Sequence, residues 1–314
     1  MMAASPATSL GHDGDAQAER TMAASPATSP LGDDGDAQAE PMMGGMALDV
    51  AVQVVNYRTA GHLATCLRSV LADVAASGLA VQVLVLDNAS GDDLSELAER
   101  HPEVAFSTAE RNLGFGAGHN RLTEQHDAGA LLLLNPDAEI VEPATVARLL
   151  GALREDAALA AVGPQLVSSA GDVDLRDHGE LRGLRARIAH AAGHSHYRLR
   201  HAPADAAWVS GAACLVDRRA FDAVGGFDPG FFLYKEEEDL FLRIRAQGGR
   251  VRYVPSVRVR HDGEAVASRQ EHLAASVGRF AGKHIHSPLQ RRLMPPLHRA
   301  VEAWGGRLDR LLRH

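Results

Sequence analysis

From about residue 48 onward, apolar positions alternate between two periods. "LDVAVQVVNY" (48–57) is an apolar run of strand length, and Leu63, Leu67, Val70, Leu71 and Val74 then recur at helical spacing. "VQVLVLDN" (81–88) predicts a second strand, followed by a short helix through Leu94 and Leu97. "EVAFST" (103–108) reads as strand three, "GAGHNRLTEQH" (116–126) as helix and "ALLLLNPD" (130–137) as strand four. A helix over 144–154 and a strand over "LAAVGPQLV" (159–167) follow. Farther on, "WVSGAACLVD" (208–217) predicts one strand, 236–247 a helix, and "VRYVPSVRVRH" (251–261) two short strands. Strand–helix alternation of this kind implies an α/β fold, with a mostly parallel sheet covered by helices on both faces.

The rhythm fails in three places. At the start, "MAASPATSLGHDGDAQAE" (2–19) recurs as "MAASPATSPLGDDGDAQAE" (22–40). Two copies are too few for a solenoid, and Ala, Ser, Pro, Gly and Asp favour disorder. Residues 168–205 carry five histidines without metal-ligand spacing and read as a mobile loop over the site. At the end, Leu297, Val301, Trp304, Leu308 and Leu311 form one helical stripe among Arg291, Arg292, Arg299, Arg307, Arg310 and Arg313. Such a basic amphipathic helix suits peripheral contact with an anionic membrane, packing on the main domain, or a homodimer contact. The organisation is thus a disordered acidic tail (1–45), one α/β domain (46–284) and a basic helix (285–314).

Composition changes this picture little. The chain has 314 residues, is 46% hydrophobic and carries a net charge of −8. Seven acids and Arg20 give the first 45 residues −6, so the remainder is near neutral. With the basic residues gathered in one tail, nucleic-acid binding is poorly supported. Two cysteines, Cys66 and Cys214, make no disulfide framework and point to a reducing, cytoplasmic compartment. No run of 18 apolar residues predicts a membrane span, and the first 45 residues hold no apolar stretch like a signal peptide's.

The candidate chemistry lies where strands end. The leucines of "LLLLNPDAEI" (131–140) run straight into Asn135, Pro136, Asp137 and Glu139. Open α/β sheets place ligands just past the carboxyl ends of their strands. "LDNAS" delivers Asp87 to such a position, suited to a nucleoside contact or to a turn. "NLGFGAGHN" (112–120) is a glycine-rich entry to a helix, but it follows the third strand and lacks dinucleotide spacing, so NAD binding is discounted. "FFLYKEEEDLFLRIRAQGG" (231–249) packs four acids at 236–239. Glu237, Leu240, Phe241 and Ile244 share one face, whereas Glu236, Asp239 and Arg243 share another. A carboxylate at the edge of a buried face holds protons more tightly, which suits a general base. His261 ends a strand and is a candidate metal ligand.

In this order, "VVNY", "LDNAS", "RNLGFGAGHN", "LLNPDAEI", "WVSGAACLVDRRAFDAVGGFD", "FFLYKEEEDLFLRI" and "VRYVPSVRVRH" resemble the inverting family 2 glycosyltransferases, most nearly their rhamnosyltransferase-like branch. The resemblance spans about residues 50–265. It implies a GT-A fold, a nucleotide-diphosphate sugar donor, Mg2+ or Mn2+, and a glycan or polyprenyl-linked acceptor in cell-envelope polysaccharide synthesis. By this resemblance, Val55, Asn56, Tyr57, Asp87 and Asn88 lie around the nucleoside. Asn112, Gly114 and Asn120 belong to the donor-binding segment, and Gly211 and Ala212 approach the donor sugar. Asn135-Pro136-Asp137 stands where the family has an Asp-x-Asp metal motif. Asp137 then carries most of the metal role, with Glu139 and His261 as further ligands. The family's Glu-Asp pair falls on Glu236 and Glu237, making Glu237 the base and Asp239 the alternative. A nucleotidyltransferase would need a basic glycine-rich first loop, which "VVNYRTAGH" lacks. A catalytically inactive nucleotide-sugar-binding or regulatory protein of the same fold is the other reading.

Overall fold

The structure is a computed structural model that describes residues 48–181, 195–263 and 269–285, with positions 288 and 292. The duplicated tail and the Leu297–Leu311 stripe lie outside the described residues. Among the described residues, ten strands form one sheet: β1 (Val50–Asn56), β2 (Val81–Asp87), β3 (Val104–Thr108), β4 (Ala130–Leu134), β5 (Ala138–Ile140), β6 (Leu159–Val167), β7 (His178–Glu180), β8 (Ala204–Val209), β9 (Ala213–Asp217) and β10 (Arg250–His261). The helices are α1 (Ala60–Ser77), α2 (Ser95–Arg100), α3 (Phe115–Thr123), α4 (Thr145–Arg154), α5 (Arg218–Ala223), α6 (Glu236–Ala246) and α7 (Arg269–His284).

The strand order is β3-β2-β1-β4-β9-β6-β10-β8-β7, with β5 on the end of β10. β3, β2, β1 and β4 pair in parallel, as do β6 and β10. β9 runs against both β4 and β6, and β8 against β10. The sheet is therefore mostly parallel, with reversed strands where the second half begins and ends. Asn56 is level with Asp87, and Leu134 with Ala213, so the motif-bearing strand ends share one edge.

β4 is buried on both faces, as its leucine run predicts. Leu132 and Leu134 pack with Leu63, Leu67 and Val70 of α1 and Val146, Leu149 and Leu150 of α4. Leu131 and Leu133 pack with Phe221, Phe227, Leu240, Phe241 and Ile244 on the opposite face. Each buried leucine contributes about 1.5–3 kcal/mol, enough to fix this strand at the centre.

Four expectations need correction. "WVSGAACLVD" is two strands, β8 and β9, separated in the sheet by β10 and β6; the chain turns at Ser210–Gly211–Ala212. Conversely, "VRYVPSVRVRH" is one long strand, whose pairing with β6 slips between Val254 and Arg258 so that the irregularity is absorbed without a break. Of the segment read as a mobile loop (168–205), residues 182–194 lie outside the described residues, and the described part contains β7, the start of β8 and a bridge between Val167 and Val173. Finally, α3 ends at Thr123, before His126 turns back to cap Ala128 N–H at 3.2 Å.

Candidate active site

At the β1–β2 end, Asn56 is fully buried and works as a brace. Its Nδ2 donates to Asp87 Oδ1 (3.1 Å) and Asp92 Oδ2 (3.0 Å), while Thr59 Oγ1 donates to its Oδ1 (2.7 Å). Asp92 also accepts the backbone N–H groups of Thr59 (3.0 Å) and Ala60 (3.2 Å), capping α1 from a neighbouring loop. Asp87 is half-buried and held by Ser90 Oγ at 2.5 Å. Val55 packs under the glycine-rich helix, where a Cβ on Gly118 would stand 2.9 Å from its Cγ1. Tyr57, half-buried, lies beneath the Arg58 guanidinium at 5.2 Å.

Other residues assigned to the donor support its loops from behind. Buried Asn88 donates to Asn112 Oδ1 (3.0 Å) and Gly114 O (3.2 Å) and accepts from Leu113 N–H (2.8 Å). Asn112 Oδ1 also accepts Gly114 N–H at 2.9 Å. Asn120 exchanges two hydrogen bonds with the backbone of Phe227, at 2.8 and 2.9 Å. Their amide groups thus fix the loop shape.

Past β4, Asp137 and His261 come together. Asp137 Oδ1 is 3.4 Å from His261 Nε2, and Asn135 Nδ2 is 3.2 Å from the same nitrogen. Two ligands on adjacent vertices of an octahedral ion, each about 2.1 Å from it, stand about 3 Å apart, so this oxygen–nitrogen pair fits a shared divalent cation. Glu139 is placed otherwise: it lies opposite Arg260 in the β5–β10 register and forms an ion pair with it. The expectation that Glu139 joins the metal ligands therefore needs correction, because its carboxylate is already neutralised. Among the described residues, no group of three or more His, Cys, Asp or Glu side chains is arranged to hold a metal. Beneath this turn Cys66 Sγ lies 3.6 Å from Asn135 O. Burial, then the charges of Asp137 and Glu139, raise its thiol pKa far above the ordinary value.

The acidic helix α6 starts from two consecutive non-glycine residues at positive φ, Tyr234 (70°) and Lys235 (68°). Such conformations cost about 1–3 kcal/mol each and must be held from outside. Ser276 Oγ donates to Leu233 O (2.7 Å), and Lys235 Nζ, nearly buried, donates to Glu238 Oε1 (2.6 Å). Phe115 N–H donates to Phe232 O (3.0 Å), tying the glycine-rich loop to the same segment. Gly114 is required there, since its φ is 85° and a Cβ would fall 2.2 Å from Phe232 O.

Leu240, Phe241 and Ile244 are buried as the helical period predicts. Glu237 is half-buried, and its Oε2 is shut off from solvent with no hydrogen-bond partner. Burial pushes its pKa up to about 7; Glu238 adds to the rise, while its own N–H, Lys235 and the Gly211 N–H restrain it. Glu236 is buried more deeply, and burial and then the Glu237 charge raise its pKa well above the carboxylate range. Asp239 is different. It receives Arg243 Nε (2.8 Å), Lys283 Nζ (2.7 Å) and His284 Nε2 (2.6 Å). Burial opposes its charge, but these three donors win and hold its pKa below the usual value. Asp239 thus joins α6 to α7, whereas Glu236 and Glu237 each keep one carboxylate oxygen without a hydrogen-bond partner, Glu236 being the more deeply buried of the two.

The Ser210–Gly211–Ala212 turn links the two halves of the site. Ala212 O accepts Asn135 N–H at 2.9 Å, Gly211 N–H faces Glu237, and Phe115 lies against Gly211, 2.9 Å from where a Cβ would stand. Sequence reasoning missed Asp92, whose partners lie more than thirty residues away in the chain, and Lys235, which holds Glu238 at the start of α6. Asp92 sits in a polar "SGDD" loop that reads as a turn, and Lys235 reads as a helix-start cation.

The mostly parallel sheet thus carries a carboxylate–histidine pair at one strand end and an up-shifted glutamate at the 210–212 turn. A family model described as "Glycosyltransferase like family 2" matches residues 47–279, and the chain belongs to this family. It is 31% identical to an N-acetylglucosaminyl-diphospho-decaprenol L-rhamnosyltransferase of Mycobacterium tuberculosis, over 74% of this chain and 79% of that protein. Among solved structures, GalNAc-T7 with UDP, GalNAc and Mn2+ superposes with a TM-score of 0.56 at 16% identity, over 75% of this chain and 48% of that one. The Pyrobaculum calidifontis mannosyltransferase PcManGT, in complex with GDP-Man and Mn2+, gives 0.50 at 17% identity over 82% and 70%. These structures are similar in fold.

Proposed function

We propose that the chain is an inverting glycosyltransferase that moves a sugar, rhamnose by analogy with the mycobacterial relative, from a nucleotide diphosphate to a prenyl-diphosphate-linked sugar acceptor of envelope polysaccharide synthesis. The observation that carries this reading is the up-shifted Glu237 carboxylate, which meets the Gly211 N–H, keeps Oε2 without a partner and is joined through the 210–212 turn to the Asp137–His261 pair. Asp87 would accept from the nucleobase, with Val55 and Tyr57 beside it. Asp137 and His261 would hold Mg2+ or Mn2+, which when bound offsets the charge developing on the leaving nucleoside diphosphate. Gly211 lets the turn approach the donor sugar. Glu237 takes the proton of the acceptor hydroxyl as that oxygen attacks the anomeric carbon from the face opposite the diphosphate. A base with a pKa near the working pH is ionised enough to accept that proton and basic enough to want it. One displacement inverts the anomeric centre.

Calorimetry with dTDP or UDP and Mn2+ tests the donor half. Asp137→Ala should abolish the metal-dependent part of nucleotide affinity while thermal unfolding stays cooperative. Unchanged affinity and unchanged metal dependence would remove Asp137 from the site.

A further inference from the structure

The motifs assign the donor side and the base but leave the acceptor side without residues. We infer that Tyr197, Arg198 and Leu199 form the acceptor wall, with Arg198 on the acceptor diphosphate and Tyr197 and Leu199 on its sugar and the start of its prenyl chain. This rests on the glycosyl-transfer reading above.

The first argument is placement. Along the sheet edge, the nucleoside residues end β1 and β2, whereas β8 and β7 close the opposite side beyond β10. Glu237 faces the turn that leaves β8. An acceptor whose hydroxyl meets Glu237 from the side away from the donor therefore meets the chain that packs on β8 and β7. That chain is 195–200. Ser195 Oγ receives Trp208 Nε1 (2.8 Å) and reaches Glu238 Oε2 (3.4 Å), the residue after the base.

The second argument is how firmly the segment is held. Glu180 N–H donates to His196 O at 2.8 Å, and the Arg200 guanidinium grips both Glu180 carboxylate oxygens. Glu180 is buried and continues into a buried polar chain: His178 Nε2 is 3.7 Å from Glu180, His178 Nδ1 is 2.6 Å from Asp177 Oδ1, and Tyr253 OH donates to Asp177 Oδ2 at 2.8 Å. The Asp177 carbonyl in turn accepts Ser210 N–H at 2.9 Å, so one network sets both this segment and the turn beside Glu237. Fixing a surface segment in this way lowers the ordering cost of binding.

The third argument is what the segment exposes. Tyr197 (38%) and Leu199 (42%) are two of only four large apolar side chains exposed among the described residues, and exposed Arg198 lies between them. Residues 195–201, Ser-His-Tyr-Arg-Leu-Arg-His, contain no acid, although the folded part is near neutral. Arg pairs with phosphate bidentately, and aromatic and aliphatic side chains cover sugar faces and prenyl methyls.

The test measures binding, so it does not depend on turnover. N-acetylglucosaminyl-diphospho-farnesol is titrated into the full chain, beside a neutral octyl N-acetylglucosaminide and the donor nucleotide with Mn2+. Arg198→Ala should weaken the diphosphate acceptor about tenfold, as loss of a charge-assisted contact does, and leave the neutral glycoside unaffected. Tyr197→Ala should weaken both acceptors. Nucleotide affinity should hold in each variant. Unchanged acceptor affinity in Arg198→Ala overturns the inference. So does a loss that falls on the nucleotide instead, since Arg198 would then serve the donor diphosphate. Failure of the wild-type chain to transfer sugar is a separate result and counts against the glycosyl-transfer reading.

Discussion

At the scale of single residues, the proposed chemistry depends on one carboxylate kept ready to accept a proton. Glu237 has a folded-state pKa of about 7, raised chiefly by burial. Turnover should therefore climb with pH through a limb near 7, because the ionised form is the base. A stability consequence has a definite sign. The folded chain binds this proton more tightly than the unfolded chain, so Glu237 lowers stability as pH rises from the ordinary glutamate value through about 7. Glu237→Gln removes the buried charge, and its melting temperature should exceed the wild type's at pH 8, with the gap closing below about pH 4.5. A mutant that melts lower at pH 8 would contradict the burial. Glu236 shows the limit of a helical wheel. Its assigned face is the less apolar one, yet it is the more buried of the two, directly after the positive-φ pair Tyr234–Lys235.

At the scale of elements, the described structure shows what local pattern can and cannot reveal. β1, β2, β4 and α1 were legible because their apolar periods are local and strong. The split between β8 and β9 was hidden, since Ser210, Gly211 and Ala212 continue a run of small and apolar residues. Glu139 sat at metal-ligand spacing, but its partner, Arg260, comes from β10, more than a hundred residues later. Asp239 likewise needs α7 to reveal its role. Its folded pKa lies below the unfolded value, so its contribution is present above about pH 4 and lost as pH falls through the folded value. Asp239→Asn should cost about 3–5 kcal/mol in urea unfolding at pH 7 and flatten the acid side of the stability curve. An acid dependence identical to the wild type's would show that the α6–α7 cluster is not what Asp239 holds. Gly114→Ala tests the loop that meets α6. Positive φ and a Cβ against Phe232 O predict a loss of at least about 1–3 kcal/mol, together with reduced turnover. Gly61→Ala, in α1 with open space around it, is the control and should be neutral or slightly stabilising.

At the scale of the whole molecule, the mostly parallel half of the sheet gathers the residues proposed for the nucleoside, and the half with reversed strands supplies the 210–212 turn, Glu237 and the proposed acceptor segment. The break in strand direction at β9 puts Asp137 and Gly211 at the same edge, which a purely parallel order would not do. No helix among the described residues is long and apolar enough to cross a membrane. The most direct measurement is single-turnover transfer from dTDP-rhamnose to N-acetylglucosaminyl-diphospho-farnesol with Mn2+, comparing wild type with Glu237→Gln. The account predicts product of inverted anomeric configuration from the wild type and a rate about 10²–10⁴-fold lower in Glu237→Gln, at unchanged nucleotide affinity. Near-native transfer by Glu237→Gln, or retained configuration, would contradict it.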